Sequence, residues 1–396
     1  MNRIYFDHSA TTPTSEEVVK EMLPFFTDIY GNGSSQHSHG REAGKYIDIA
    51  RRQVADAIGA KPGEIYFTSG GTESDNWAIR GVLSGYKAKG KHIITTCIEH
   101  PAMIKTLESL QKNGLAEVTF LGVDSEGFIC LEELKNAIRP DTVLISVMTA
   151  NNEIGTIQDI KEIGAIAKAN NIIFHTDAVQ AIGNVKIDVK EMNIDLLSMS
   201  AHKFYGPKGI GVLYRRNGIK LGSYMTGGEQ ERNMRAGTLN TPGIVGMGKA
   251  IEIATRDIEK NNKYVSELRD YFVAQVESKI DNVYYNGTKS DKRLASNANF
   301  SFEFIEGESL LLRLDLAGIS VSSGSACSSG SLEPSYVLLA TGRAIELAHG
   351  SLRFSFGKNN TKQEIDYCVQ NLVKIVQDLR ELSPLFLIKK GENKYV

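Results

Sequence analysis

The most informative stretch of the sequence is Leu197-Ser198-Met199-Ser200-Ala201-His202-Lys203-Phe204-Tyr205-Gly206-Pro207-Lys208-Gly209, which leads from an apolar strand into a glycine- and proline-containing loop. Lys203 leaves the buried strand beside His202, a placement that a solvated surface charge explains poorly. A lysine that is desolvated or kept beside cations can form a Schiff base with a carbonyl cofactor. The stretch therefore predicts a lysine-linked cofactor at the end of a strand, with an ordinary surface lysine as the alternative.

Strand-length apolar runs alternate with helical patterns on both sides of this stretch, from about residue 41 to 255. Helices are predicted over 41–58, 72–83, 101–112 and 159–169, with strands between them. This alternation predicts an α/β fold with a mostly parallel, seven-stranded-type sheet between helices. The strands at 196–199 and 211–214 have no helix between them, which indicates an antiparallel excursion.

A smaller α+β domain is predicted after the alternating region. A long helical pattern at about 250–280 precedes strands near 283–285, 298–304 and 351–356 and a helix at about 363–381. We therefore divide the chain into a large domain, residues 15–255, and a small domain made of residues 1–14 and 256–396. The small domain carries a serine-rich loop at about 320–335.

Composition excludes several classes of function. The 396 residues include 45 Lys+Arg and 47 Asp+Glu, a net charge of −2, so no basic excess draws the chain to nucleic acid or to anionic lipid. No apolar stretch approaches the roughly 18 residues of a membrane span. The widely spaced cysteines favour neither a disulfide framework nor a zinc site, which indicates a reducing, cytoplasmic location. His37 and His39 lack a third ligand, so no metal is predicted.

Two polar stretches follow predicted strands. Ser69-Gly70-Gly71-Thr72-Glu73-Ser74 stands between a strand and a helix, where unpaired N–H groups can bind a phosphate. The alternative is an ordinary turn with a Thr cap. Asp177 follows the strand 172–175, where open parallel sheets place ligands, and could hold a cationic ring nitrogen. Its alternative is a helix N-cap.

Cys327 lies at the centre of a polar segment, Ser320–Ser331, that contains seven serines. Such a composition is flexible and does not pack as a core, so Cys327 is not predicted to be a small core residue. Cys97 and Cys130 lie in apolar stretches and Cys368 lies on an apolar helix face. We predict that these three belong to the core.

A set of motifs then identifies a family. They are Thr68-Ser69-Gly70-Gly71-Thr72-Glu73-Ser74-Asp75-Asn76, Glu99-His100-Pro101, Asn151-Asn152-Glu153-Ile154-Gly155, Asp177-Ala178-Val179-Gln180, Ser200-Ala201-His202-Lys203 and Gly324-Ser325-Ala326-Cys327-Ser328-Ser329-Gly330-Ser331. These motifs occur in the same order in the cysteine desulfurases of the NifS/IscS type, which the chain therefore resembles. These are fold-type I pyridoxal phosphate enzymes of class V aminotransferase character. The resemblance runs from about Tyr5 to Leu379.

The resemblance implies a homodimeric sulfurtransferase that uses pyridoxal 5'-phosphate. It would convert L-cysteine to L-alanine and hold the sulfur as a persulfide on Cys327, for iron–sulfur cluster assembly or thio-cofactor synthesis. An iron–sulfur scaffold protein or another sulfur acceptor would be its partner. No resident metal is implied, and a transient contact of an iron–sulfur cluster with Cys327 stays open.

The resemblance also implies a role for individual residues. Cys327 would be the nucleophile, Lys203 would link the cofactor and move the Cα proton, and His100 would stack on the ring and assist proton transfer. The cofactor-binding residues would be Gly71, Thr72, His100, Asn152, Asp177, Gln180, Ser200, His202, Lys203 and Thr238, the last from the neighbouring subunit. The substrate-binding residues would be Asn32, Asn152 and Arg353. Gly33 replaces the proline that the family usually has after Asn32, which loosens that loop.

Three alternative functions remain at the level of sequence. A selenocysteine lyase or another pyridoxal phosphate-dependent β-lyase would share most of these motifs. An aminotransferase would not need Cys327 and would release a keto acid. A sulfur carrier or scaffold without catalysis would need neither Lys203 nor Asp177.

Overall fold

The computed structural model describes residues 3–323 and 333–390. Its strands are β1 (Ile4–Tyr5), β2 (Ile65–Thr68), β3 (His92–Thr96), β4 (Glu117–Leu121), β5 (Thr142–Ser146), β6 (Ile173–Asp177), β7 (Leu196–Ser200), β8 (Gly211–Arg215), β9 (Val283–Tyr285), β10 (Asn297–Phe302), β11 (Ile319–Ser320), β12 (Ser322–Ser323) and β13 (Ser351–Ser355).

The helices are α1 (Glu16–Met22), α2 (Pro24–Thr27), α3 (Ser38–Ala57), α4 (Gly71–Gly85), α5 (Pro101–Lys112), α6 (Leu131–Asn136), α7 (Ile160–Ala169), α8 (Gln230–Asn233), α9 (Thr241–Arg256), α10 (Ile258–Lys279), α11 (Gly307–Leu316), α12 (Tyr336–Ala340), α13 (Ile345–His349), α14 (Lys362–Glu381) and α15 (Pro384–Lys390). Short 3-10 helices lie at Pro62–Glu64 and Ala201–Lys203. Among the described residues, no helix is both long enough and apolar enough to span a membrane.

A seven-stranded sheet occupies the first two thirds of the chain, in the order β2-β8-β7-β6-β5-β3-β4. Neighbours from β4 to β7 are parallel, whereas β8 is antiparallel to both β7 and β2. This arrangement confirms the mostly parallel sheet and the antiparallel excursion that the sequence predicts.

Helices cover both faces of this sheet, and successive strand residues enter different cores because their side chains alternate between the faces. Leu196 packs in one core with Trp77 of α4. The next residue, Leu197, packs in another core with Val54 of α3. A strand that is buried on both faces is typical of an α/β sheet and explains why these segments read as continuous apolar runs.

A third core surrounds the four-stranded sheet β12-β13-β10-β9. It contains Phe272 of α10, Phe300 of β10 and Phe354 of β13. Phe6, which follows β1, also packs there, and β1 pairs in parallel with β11. The two ends of the chain therefore meet in this core. The division at residues 15 and 255 stays a prediction.

Two sequence-based expectations are wrong in detail. The pattern at 250–280 is two helices, because Asp257 (φ −105°, ψ 15°) interrupts the path between α9 and α10. Cys130 is exposed, since it stands at the start of α6 and it is Leu134 of that helix that turns to the core. Cys97 is only partly buried. Cys368 is buried, as predicted.

Candidate active site

A cavity of about 320 Å³ lies at the carboxyl ends of the parallel strands. β6 ends at Asp177 and β7 ends at Ser200, and Asp177 lies opposite Ser198 in the register of the two strands. The residues lining the cavity are Ser9, Ala10, Gly71, Thr72, Asp75, His100, Met148, Asn152, Asp177, Val179, Gln180, Ser200, His202, Lys203 and Arg353. The structure thus brings together residues from five separate motifs of the sequence.

One end of the cavity is built from the turn between β2 and α4. Gly70 has φ 158°, a backbone conformation that favours glycine, and no side chain caps the helix. A Cβ on Gly71 would lie 2.7 Å from Val179 Cγ2, so the glycine is needed for this close approach. The first N–H groups of α4 are therefore available to an anion. The Thr-capped turn that the sequence left as an alternative is not what forms.

Ser200 and His202 complete this end of the cavity from the β7 side. Burial, with Lys203 nearby, lowers the pKa of His202 to about 4, so its ring is neutral near pH 7. Its Nδ1 lies 3.1 Å from Thr11 Oγ1. A neutral ring and a hydroxyl beside a helix N-terminus suit a phosphate group.

Lys203 and Asp177 form the middle of the cavity. Lys203 ends the 3-10 turn Ala201–Lys203, and its Nζ donates to the carbonyls of Ala10, at 2.9 Å, and Ser9. Burial raises the pKa of the Asp177 carboxyl, while His100 and Lys203 act against that rise. A buried carboxylate that faces cations can hold a protonated ring nitrogen.

The environment of Asp177 also decides between its two predicted roles. Its Oδ1 accepts from Val179 N at 2.8 Å within a turn, and no α-helix begins there. The helix N-cap alternative is therefore wrong. Gln180, three residues on, donates from Nε2 to Ser9 O at 2.9 Å, which fixes its amide at the edge of the cavity.

His100 also lines the cavity and is the N-cap of α5. Its Nδ1 accepts from Ala102 N at 3.1 Å, so the neutral ring carries its proton on Nε2. Burial lowers the pKa of His100; Asp177 opposes this change and Lys203 adds to it. The ring is thus oriented by the helix it caps.

Arg353, on β13, supplies the cationic end of the cavity. Its side chain is almost fully buried, with Nη2 donating to Asp7 Oδ1 at 2.9 Å and Nη1 to Asn152 O at 3.1 Å. Among the residues that the structure describes, its buried Nε has no hydrogen-bond partner. A buried donor without a partner is costly, and a ligand carboxylate would satisfy it.

Asn152 stands on a loop that its own sequence holds rigid. Asn151 donates from Nδ2 to Ile98 O at 2.9 Å and accepts at Oδ1 from the N–H groups of Glu153 and Ile154. Gly155 follows with φ 77°, which favours glycine. The loop therefore places Asn152 at the cavity, where its backbone carbonyl accepts from the Arg353 guanidinium.

Sequence reasoning missed Asp75, which lines the cavity although it lay within a quoted motif. It lies on α4 four residues after Gly71, and this i, i+4 spacing puts both on one helix face. Burial, together with the charge of Asp177, raises the pKa of Asp75 well above its usual range. The spacing of four residues from Gly71 on a predicted helix was the signal that could have placed Asp75 at the cavity.

Two predicted residues lie outside this cavity, and the placement of a third is not described. Asn32 is exposed, and its Oδ1 accepts from Ser34 N at 3.0 Å. Thr238 is also exposed and does not line the cavity of its own chain. Cys327 falls outside the described residues. The chain at Ser322, five residues before Cys327, lies beside the cavity residue Arg353, with which it pairs in the antiparallel sheet.

Two comparisons place the chain among known sequences. It matches the class V aminotransferase family over residues 4–368. A protein of Clostridium botulinum (strain Hall) named cysteine desulfurase IscS is 56% identical over 398 residues, which cover 100% of both chains. The cysteine desulfurase IscS of Methanosarcina thermophila is 56% identical over 382 residues, or 96% of this chain and 94% of that protein.

Solved structures give the same result. A NifS-like protein superposes with a TM-score of 0.89 at 37% identity, covering 95% of this chain and 100% of its own. A structure described as SspA in complex with cysteine superposes with a TM-score of 0.79 at 36% identity, covering 90% of this chain and 100% of its own.

Proposed function

We propose that this chain, which belongs to the class V aminotransferase family, is an L-cysteine desulfurase that forms L-alanine and takes up the released sulfur. Pyridoxal 5'-phosphate is its cofactor. The observation that carries the proposal is the meeting of Lys203, Asp177 and Arg353 in one cavity, with an amine, a buried carboxylate and a buried guanidinium. One of the similar solved structures is described as a complex with cysteine.

The cavity has the right groups for this cofactor. Gly71, Thr72, Ser200 and His202 would hold the phosphate, and Asp177 would hold the ring nitrogen. Gln180 would reach the ring oxygen and His100 would stack on the ring. Lys203 would make the covalent link. When bound, the cofactor supplies an acceptor for the electrons of the substrate Cα carbanion.

The other groups act on the substrate. Arg353 and Asn152 bind the carboxylate, which orients the Cα–H bond toward Lys203. Lys203 Nζ takes the Cα proton. Cys327, as a thiolate, attacks the substrate sulfur, so that an S–S bond forms, the C–S bond breaks and alanine leaves. His100 would favour the thiolate and return protons.

The dimer belongs to the same proposal. α1 and α2 pack on α9, and they expose Leu23 (57%) and Phe26 (61%), with Tyr30 (67%) just beyond α2. Thr238 is likewise exposed and lies just before the N-cap of α9. Exposed apolar groups of this size mark an interaction surface. We assign it to a second copy of the chain, whose cofactor phosphate Thr238 would reach.

The destination of the sulfur completes the proposal. A persulfide on Cys327 would pass to an iron–sulfur scaffold protein or to another acceptor, in the cytoplasm. The proposal includes a division of the chain into two domains. Residues 15–255 would bind the cofactor, and residues 1–14 and 256–396 would form the domain that carries the cysteine segment.

The direct test is to incubate the purified protein with L-cysteine and a thiol reductant, which releases the persulfide sulfur as sulfide, and to measure alanine and sulfide together. Equal amounts of both are expected, and a keto acid without alanine would identify an aminotransferase instead. Lys203→Ala should abolish alanine formation, because no base then removes the Cα proton. The matched control is Lys208→Ala, since that lysine is exposed on the same loop. Alanine formation by Lys203→Ala at the wild-type rate would reject the assignment.

A further inference from the structure

A strained backbone segment lies just before Thr238. Glu231, Arg232 and Asn233, which form most of the short segment α8, have φ values of 43°, 58° and 62° and so depart from right-handed helical geometry. Left-handed conformations are unfavourable for residues that carry a side chain, and a run of three is rare. Such strain persists only where surrounding contacts fix the backbone, and it often marks a functional segment.

The contacts that fix this segment come from the strand before the phosphate-binding turn and from the helix beside it. Buried Glu231 pairs with Arg51 through bonds of 2.6 and 2.9 Å and also accepts from Phe67 N at 2.9 Å. Arg232 lies 4.0 Å over the ring of Tyr66. The strained residues are therefore attached to β2, which leads directly into that turn.

A second ion pair continues the connection. Arg235 donates to Glu73 from Nε at 2.8 Å and from Nη2 at 3.0 Å. Glu73 Oε2 also accepts from Ser69 N at 2.8 Å. Burial opposes ionisation of Glu73, but the bonds from Arg235 and Ser69 prevail and lower its pKa. One carboxylate thus touches the phosphate-binding turn on one side and the 231–238 segment on the other.

We infer that the Glu73–Arg235 pair couples the phosphate-binding turn of each chain to the segment that delivers Thr238 to the partner, so that the two cofactor sites of the dimer depend on each other. The inference rests on the proposed function, in which Thr238 acts across the dimer. Arg235 stands three residues before Thr238 and does not line the candidate cavity of its own chain, so it is a positioning residue.

A mixed dimer separates the effect on the partner from the effect within one chain. One subunit is wild type, and its Lys203-linked cofactor gives the visible absorbance. The other subunit carries Lys203→Ala, which removes that absorbance, together with Arg235→Gln. The measurement is the rate at which the wild-type subunit loses pyridoxal phosphate when an excess of Lys203→Ala apoenzyme, which cannot form the lysine link, is added as a scavenger. We expect about a tenfold faster loss than with Lys203→Ala alone, the size of one charge-assisted hydrogen bond.

Three other variants of the second subunit, each combined with Lys203→Ala, are compared with Arg235→Gln. Glu73→Gln is close to isosteric and should act in the same direction, so the test does not depend on how well Arg235→Gln folds. Arg256→Gln removes an exposed ion pair with Asp257 and should change nothing. Thr238→Ala should speed cofactor loss at the partner site.

The results separate the two ideas. If Thr238→Ala leaves the wild-type site unchanged, the shared site of the proposed function fails. If Thr238→Ala speeds the loss but neither Arg235→Gln nor Glu73→Gln does, the shared site stands and the coupling is overturned.

Discussion

Replacing Arg353 by lysine tests how the cavity recognises its substrate. The guanidinium makes bonds of 2.9 Å to Asp7 and 3.1 Å to the Asn152 carbonyl, and its buried Nε has no partner in the described part of the chain. A lysine keeps the charge, but a single ammonium cannot replace a planar fork that serves the protein and a carboxylate at once.

The magnitude follows from the bond that is lost. One charge-assisted hydrogen bond contributes roughly 1.5–3 kcal/mol, which corresponds to about a 10- to 150-fold fall in kcat/KM for L-cysteine. Because Arg353 holds the carboxylate before and during the reaction, most of the change should appear in KM. The absorbance of the bound cofactor should be unchanged.

The assay compares L-cysteine with cysteamine, which has the thiol and the amine but no carboxylate. Arg353→Lys and the wild type should bind cysteamine equally, as followed by the change in cofactor absorbance. The control is Arg313→Lys, at a half-exposed position that pairs with Asp378. If Arg353→Lys loses as much affinity for cysteamine as for L-cysteine, the arginine shapes the cavity and does not recognise the carboxylate.

Three further outcomes are expected. Asp177→Asn should keep the cofactor but slow alanine formation by about 10- to 150-fold, because an amide cannot pair with a protonated ring nitrogen; single-turnover kinetics measure this. Cys327→Ser should keep the cofactor absorbance, form no alanine and carry no labelled sulfur, and label found on Cys97, Cys130 or Cys368 of the wild type would contradict the assignment. Burial raises the pKa of Glu99 to about 8, above its unfolded value, so the free energy of unfolding of the cofactor-free protein should fall as pH rises from about 4.5 to 8. In urea titrations between pH 6.5 and 8, the free energy of unfolding should fall less for Glu99→Gln than for the wild type. For the exposed Glu133→Gln it should fall as much as for the wild type.

The pH range of the last measurement matters because buried histidines act in the opposite direction. Burial lowers the pKa of His175 to about 3, so its contribution makes the fold more stable as pH rises toward 6.5 and then becomes constant. Glu153, whose pKa burial raises to about 7, adds to the fall caused by Glu99. Above pH 6.5 the carboxyl groups therefore dominate, and the comparison of Glu99→Gln with the wild type isolates one of them.

Local signals in the sequence located much of the large sheet. Pro101 at the first position of α5 fixed the start of a helix that runs, as predicted, from 101 to 112. Where the signals were mixed, the boundaries were less accurate. Asp257 divides an otherwise continuous apolar pattern into α9 and α10. Cys130 lies in the apolar run Phe128-Ile129-Cys130-Leu131, but the start of α6 turns it outward. Apolar character alone does not give the direction in which a side chain points.

The candidate site shows why some of its residues could be predicted and others could not. Asp177 and Lys203 are 26 positions apart, yet Asp177 ends β6 and Lys203 follows the end of the neighbouring parallel strand β7, so the sheet brings them to one edge. A sequence pattern that predicts the strands therefore predicts that these two side chains meet. The pairing of Glu73 with Arg235 has no such rule, because it depends on how a strained loop folds back over β2. Interactions of that kind are set by tertiary packing, and they are the ones through which the two sites of the proposed dimer would communicate.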